Sequence, residues 1–116
     1  MLQKEQEQSI KEVLKEQLGK DYLFVKIHGS QFQMRGLPDF LILTPGMIFW
    51  LEHKRDKGDV PTKLQKYVVE KLLRKFNIFS GYIIDDFVFP DWGRWDILFR
   101  FDFLVKRFNS EVEIDV

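Results

Sequence analysis

Along the first part of the chain Ile10, Val13, Leu14 and Leu18 recur at helical spacing among Lys, Glu and Gln. That pattern predicts an amphipathic helix from Gln3 to about Gly19, with the glycine as its C-terminal stop. Tyr22 to Ile27 is β-branched and aromatic and reads as a strand, followed by a turn at His28-Gly29-Ser30 and a loop to Gly36. Phe40-Leu41-Ile42-Leu43 and Met47 to Glu52 are apolar runs joined by Pro45-Gly46, the composition of a hairpin. A second helix starts near Pro61 or Thr62 and buries Val68, Val69, Leu72, Leu73 and Phe76; Asn77 to Ile84 returns as a strand. Beyond Asp85 the pattern is irregular through Phe87-Val88-Phe89-Pro90-Asp91-Trp92-Gly93, and the late run Ile97 to Val105 reads as one more strand.

The order αβββαβ with an appended segment predicts an α/β fold in which helices flank a central mixed sheet. At 116 residues the chain suits one domain. We expect a core over residues 1–84 and a C-terminal extension over 85–116.

Composition changes this picture in three places. There is no cysteine, so thiolate metal sites, disulfides and cysteine nucleophiles are excluded, and any metal must take oxygen or imidazole ligands. Twelve Phe, three Trp and three Tyr can fill a core in few residues or leave an apolar surface for a partner. The zero formal net charge hides a polarity: residues 1–84 hold 14 Lys/Arg against 10 Asp/Glu, and residues 85–116 hold 4 against 8. A positive body with an acidic tail permits a polyanionic substrate. No run approaches the roughly 18 apolar residues of a membrane span, and the polar start at Met1-Leu2-Gln3-Lys4-Glu5 is unlike a secretory signal. The expectation is a cytoplasmic protein, bacterial or in a virus-infected host cell, with no membrane partner.

The chemistry concentrates in the hairpin. Alternate strand residues share a face, so Trp50, Glu52 and Lys54 point one way and Leu51 and His53 the other. Asp39 opens the preceding strand and is within reach of Glu52. Carboxylates at the end of an apolar hairpin cost several kcal/mol to bury unless they are paired or bind a cation. A hard ion such as Mg²⁺ suits this donor set, with Asp39, Glu52 and the His53 backbone carbonyl as protein ligands and water completing the shell.

Gly36-Leu37-Pro38-Asp39, then Glu52-His53-Lys54, then Gln65, resembles the PD-(D/E)XK nuclease superfamily and, more narrowly, its VRR-NUC branch, over about Glu7 to Ile84. The resemblance implies a restriction-endonuclease-like core, Mg²⁺ or Mn²⁺ dependence, and hydrolysis of DNA phosphodiester bonds. It implies that Asp39 and Glu52 ligate metal, that Lys54 is the catalytic lysine and that Gln65 is a polar site residue from the following helix. It also implies a glutamate in the first helix; Glu7 shares a face with Ile10 and Leu14, and Glu5 and Glu12 are the alternatives. His53 departs from the branch, which usually has an apolar residue between Glu and Lys.

A lone Pro-Asp pair or Glu-x-Lys triplet is a common turn or strand end; order and spacing give these residues their meaning. Gln65 divides evenly between a site residue and an ordinary helix residue, although it shares the face of Val69, Leu72 and Phe76. The His53 side chain reads as packing or a substrate contact, and His28 as a loop residue. Lys26, Arg35, Arg55, Lys57 and Lys63 surround the site in sequence and are candidates for phosphate contacts, with plain solvation as the alternative. The aromatic tail reads as core or as a dimer surface. The sequence thus points to a structure-selective DNA endonuclease for junction- or flap-like DNA, acting as a homodimer. A non-catalytic nucleic-acid-binding module of the same fold is the alternative, and an accessory protein that works through protein contacts is a third reading.

Overall fold

The computed structural model describes residues 1–27 and 35–112; most of the loop expected up to Gly36, His28 included, lies outside them. The first helix, α1 (Gln3–Leu18), buries Gln6, Ile10, Leu14 and Leu18 on one stripe. The Glu5 carboxylate accepts a hydrogen bond from the Leu2 N–H at 2.9 Å, satisfying a donor that the helix start leaves free. At the other end Gly19 takes φ 64° and its N–H bonds to the Lys15 carbonyl at 3.0 Å. This is the expected glycine stop.

Strands β1 (Leu23–Lys26), β2 (Phe40–Leu43) and β3 (Ile48–His53) form an antiparallel meander. The tight β2–β3 turn is held by Thr44, whose hydroxyl donates to the Met47 carbonyl at 2.6 Å. Helix α2 (Lys63–Lys75) is the crossover that brings β4 (Phe79–Ile84) parallel to β3. Two further antiparallel strands, β5 (Phe87–Phe89) and β6 (Phe99–Arg100), complete a six-stranded mixed sheet in the order β1-β2-β3-β4-β5-β6. Helix α3 (Phe101–Asn109) follows directly on β6. No helix among the described residues is long and apolar enough to cross a membrane.

Period two along β3 divides the sheet. Phe49 and Leu51 join Ile10, Leu14, Phe40, Ile42, Ile83, Phe101, Leu104 and Val105 in a core under α1 and α3. Trp50 and Glu52 therefore face the other layer, where α2 buries Val68 and Val69.

Three expectations are corrected. The strand expected over residues 97–105 is a helix from Phe101 onward. Phe99-Arg100-Phe101-Asp102-Phe103 alternates like a strand, but Phe101, Leu104, Val105 and Phe108 sit at helical spacing and all reach the core, so the longer period prevails. The irregular stretch after Asp85 contains β5, reached through a tight turn in which Asp85 adopts φ 53°, a conformation short polar side chains tolerate. Phe76, expected on the buried face of the second helix, is its C-cap in extended conformation and 53% exposed. Residues 85–112 are thus built into the same sheet and core as the N-terminal part, and are not an appendage.

Gly46 in the β2–β3 turn lies against the backbone of α3: a Cβ there would collide with the Phe108 carbonyl oxygen, and the Gly46 N–H donates to Asn109 Oδ1 at 2.7 Å. Because the obstacle is backbone, it cannot yield as a flexible side chain would. Gly46→Ala is expected to lower stability by about 2–3 kcal/mol, read as a reduced urea midpoint; an unchanged midpoint would show that the turn and α3 separate freely.

Candidate metal and catalytic site

Asp39 stands immediately before β2, placed by two main-chain tethers. Its carbonyl accepts from the Ile27 N–H at 2.7 Å, and its carboxylate Oδ2 accepts from the His53 N–H at 2.8 Å. The second bond crosses the hairpin and pins the carboxylate to the end of β3. Glu52, the residue before, is 2% exposed, and its Oε1 has no hydrogen-bond partner among the described residues. Burial and then the Asp39 charge push the Glu52 carboxyl up to about 9, while Lys54 opposes both. Glu52 therefore keeps its proton at neutral pH in the protein without a cation.

Such a pair fits a divalent cation. Two carboxylates, one with an oxygen left over, replace a proton by a metal readily, and the hard ions keep their remaining ligands as water. Among the described residues no group of three acidic, histidine or cysteine side chains gathers around one point; a cation at this pair would draw its side-chain ligands from Asp39 and Glu52.

Lys54 continues the β3–β4 ladder through its N–H to the Ile83 carbonyl at 3.0 Å. Its side chain is buried beside the pair, with Nζ donating to Gln65 Oε1 at 3.3 Å and lying 3.8 Å from Asp59 Oδ1. Gln65 is held in turn by the start of α2: its Oε1 accepts from the Thr62 N–H at 2.9 Å, and its own N–H donates to the Thr62 hydroxyl at 3.1 Å. This reciprocal cap places the amide where Lys54 can reach it, which is the inward role the helix face suggested.

The chain matches no family model, no curated protein and no solved structure. What the site can do must therefore be argued from its own atoms.

The remaining candidates are distributed unevenly. Glu7 bonds Lys11 at 3.1 Å and Lys26 at 3.6 Å, tying α1 to β1. Burial works to raise its pKa, and the two lysines outweigh that and hold it below the ordinary value. The charge partners of Glu52 are Asp39 and Lys54, so Glu7 and Lys26 form a separate ion-pair cluster. Glu5 is occupied with the helix cap and Glu12 is exposed. The His53 ring faces the other side of the sheet, 6.5 Å from the Phe40 ring, and burial lowers its pKa. Lys57 lies over the Trp95 ring at 5.0 Å. Arg35, Arg55 and Lys63 are exposed, and Arg55 lies 3.9 Å from Asp59.

Two neighbours had no signal in the sequence. Asp59 reads as a loop residue, yet it folds back on Lys54; its carboxyl is held below the ordinary range by the Arg55 N–H bond and by the Lys54 and Arg55 charges, against a smaller effect of burial. Tyr82 reads as core, yet the β3–β4 register sets it beside Glu52. Burial, and then the Glu52 charge, raise its hydroxyl well above the usual phenol value.

Glu52 makes stability depend on pH. Between its ordinary value of 4.5 and about 9, the folded metal-free protein holds a proton that the unfolded chain has lost, so stability falls as pH rises through that window. Glu52→Gln removes this slope. Its Tm is expected to exceed wild type by roughly 5–10 °C at pH 8 and to match it at pH 4 in thermal melts. Mg²⁺ or Mn²⁺ is expected to raise the wild-type Tm at pH 8 and leave the variant unmoved; equal responses would exclude Glu52 as a ligand.

Proposed function

We propose that this protein is a divalent-metal-dependent DNA endonuclease with a restriction-endonuclease-like core. The observation that carries the reading is the buried Glu52, with a spare carboxylate oxygen, beside the half-buried Asp39 and next to a buried lysine held by Gln65. A purely structural hairpin end has no use for this ionisable trio; a phosphodiesterase site has a use for each member.

In this reading Asp39 and Glu52 hold Mg²⁺ or Mn²⁺. The bound ion supplies neutralisation of the phosphate charge and a lowered pKa for coordinated water. Lys54 places its ammonium toward the phosphate, stabilising charge that grows on the non-bridging oxygens. Gln65 and Asp59 fix the direction of that ammonium, so the lysine need not be ordered when substrate arrives. Lys57, Lys63 and Arg55, on the loop and helix start that frame the site, provide phosphate contacts that position the strand. The preferred DNA in this reading has strands that are already separated, as at flaps and junctions. We propose further that the protein works as a homodimer through the exposed Leu98, Phe99 and Phe103 at the β6–α3 corner.

A non-catalytic nucleic-acid-binding module competes with this reading, because Glu7 is engaged by lysines away from the pair. Cleavage of labelled linear, flapped and four-way-junction DNA separates them. Wild type is expected to cut with Mg²⁺ or Mn²⁺ and not with EDTA. Glu52→Ala and Lys54→Ala should lose about 100-fold or more, and Gln65→Ala roughly 10- to 100-fold. Binding without cutting by wild type would leave only the binding module. Light scattering is expected to give twice the chain mass, reduced to the monomer by Phe103→Glu; a monomeric wild type would remove the dimer.

A further inference from the structure

Beside the carboxylate pair, a groove of about 340 Å³ opens between α2 and the turn that follows β5. One wall is a stripe of α2 carrying Lys66, Glu70 and Arg74; the other is Asp91 and Trp92; Tyr82 forms the floor. The register pairs Tyr82 with Glu52 across β3 and β4, so the groove begins where the proposed metal site ends. The Trp92 ring packs on Tyr82 at 5.1 Å and on Trp95 at 4.9 Å. Lys57, from the loop that follows Lys54, caps Trp95 at 5.0 Å. The aromatic wall is thereby built onto the same loop as the catalytic lysine.

The lining is neither an apolar pocket nor a plain cationic track. It joins ring surfaces, two cations within the reach of a phosphate, and two carboxylates that accept hydrogen bonds and cannot donate them. Arg74 and Glu70 are paired at 3.4 Å, and both line the groove. A ligand that satisfies all of these is planar and apolar on its faces, donates from its edge and carries an anion: a nucleotide whose base has an exocyclic amino group. A duplex cannot present that, because its bases are stacked and their edges paired; an unpaired base can.

We propose that this groove binds one unpaired nucleotide of the cleaved strand, next to the scissile phosphate, and that it makes the enzyme selective for DNA with a locally single-stranded position. The base lies against Trp92, its amino edge toward Asp91 and Glu70, and its phosphate toward Lys66 and Arg74. Cytosine, adenine and guanine are then preferred to thymine, which has no exocyclic amino group and sets a carbonyl oxygen on each side of its single edge N–H. The assignment rests on the nuclease reading for its place in a reaction, but its binding step can be measured without any cutting.

The test uses the full chain in EDTA with a flapped duplex in which 2-aminopurine is moved through the unpaired positions nearest the branch. Fluorescence is expected to change at one position only, and replacing that nucleotide by thymine or an abasic site should weaken binding about 10-fold. Trp92→Ala and Arg74→Ala should each lose a similar factor, with Trp92→Phe restoring most of it. Lys75→Ala, on the same helix and outside the groove, should bind as wild type. An unchanged signal at every position, or a loss in Lys75→Ala equal to that in Arg74→Ala, would overturn the groove as a nucleotide site. The Arg74 and Lys75 comparison decides even if Trp92→Ala fails to fold. A positional signal in EDTA with no cutting in Mg²⁺ would retain the groove and remove the nuclease; cutting with no positional signal would do the reverse.

Discussion

The Asp39 carboxylate accepting the His53 N–H at 2.8 Å is the contact on which the site depends. It crosses from the start of β2 to the end of β3, and so brings a second carboxyl group beside the buried Glu52. Burial and the Asp39 charge both oppose ionisation of Glu52. A proton or a cation relieves that opposition, and this requirement sets the chemistry open to the hairpin end.

The fold provides this arrangement with few parts. The parallel crossover from β3 through α2 to β4 lays the start of α2 beside the end of β3, so that a helix cap serves a second purpose. Thr62 and Gln65 satisfy each other's backbone donors, and the same Gln65 oxygen receives Lys54. Helix initiation and lysine orientation are thus one local structure. The opposite face of the sheet, packed under α1 and α3 with Phe49 and Leu51 at its centre, makes the hairpin rigid enough to hold the carboxyl groups together.

The C-terminal third changes the meaning of the rest. With β5 and β6 in the sheet and α3 in the core, the turn after β5 lies over Tyr82, and Trp92, packed on Trp95, forms a wall facing α2. A four-stranded core without this segment would have the carboxylate pair and the lysine but no groove beside them. In the nuclease reading, the first part supplies the reaction and the last part supplies the shape that meets an unpaired nucleotide.

Much of this was legible in the residues alone. Helical spacing marked α1 and α2, glycine and threonine marked their ends, and alternation in β3 separated Glu52 and Lys54 from His53, because these signals are local and follow from backbone geometry. The approach of Asp39 to Glu52 followed from the hairpin, whereas the contact of Gln65 with Lys54 came only with the crossover. Local pattern was insufficient where two periods overlapped, as in Phe99 to Val105, which alternates like a strand while its buried side chains follow a helix. It was also silent where a residue gains its role from a strand it does not adjoin in sequence. Tyr82 meets Glu52 only through the β3–β4 register, Asp59 returns to Lys54 only through the loop, and Glu7 is drawn to Lys26 only by the packing of α1 on β1. The sequence by itself determined which residue types could bind a cation and hold a lysine; the tertiary structure decided which of them share one low-dielectric space, because desolvation and proximity are properties of packing and are not carried by any residue alone.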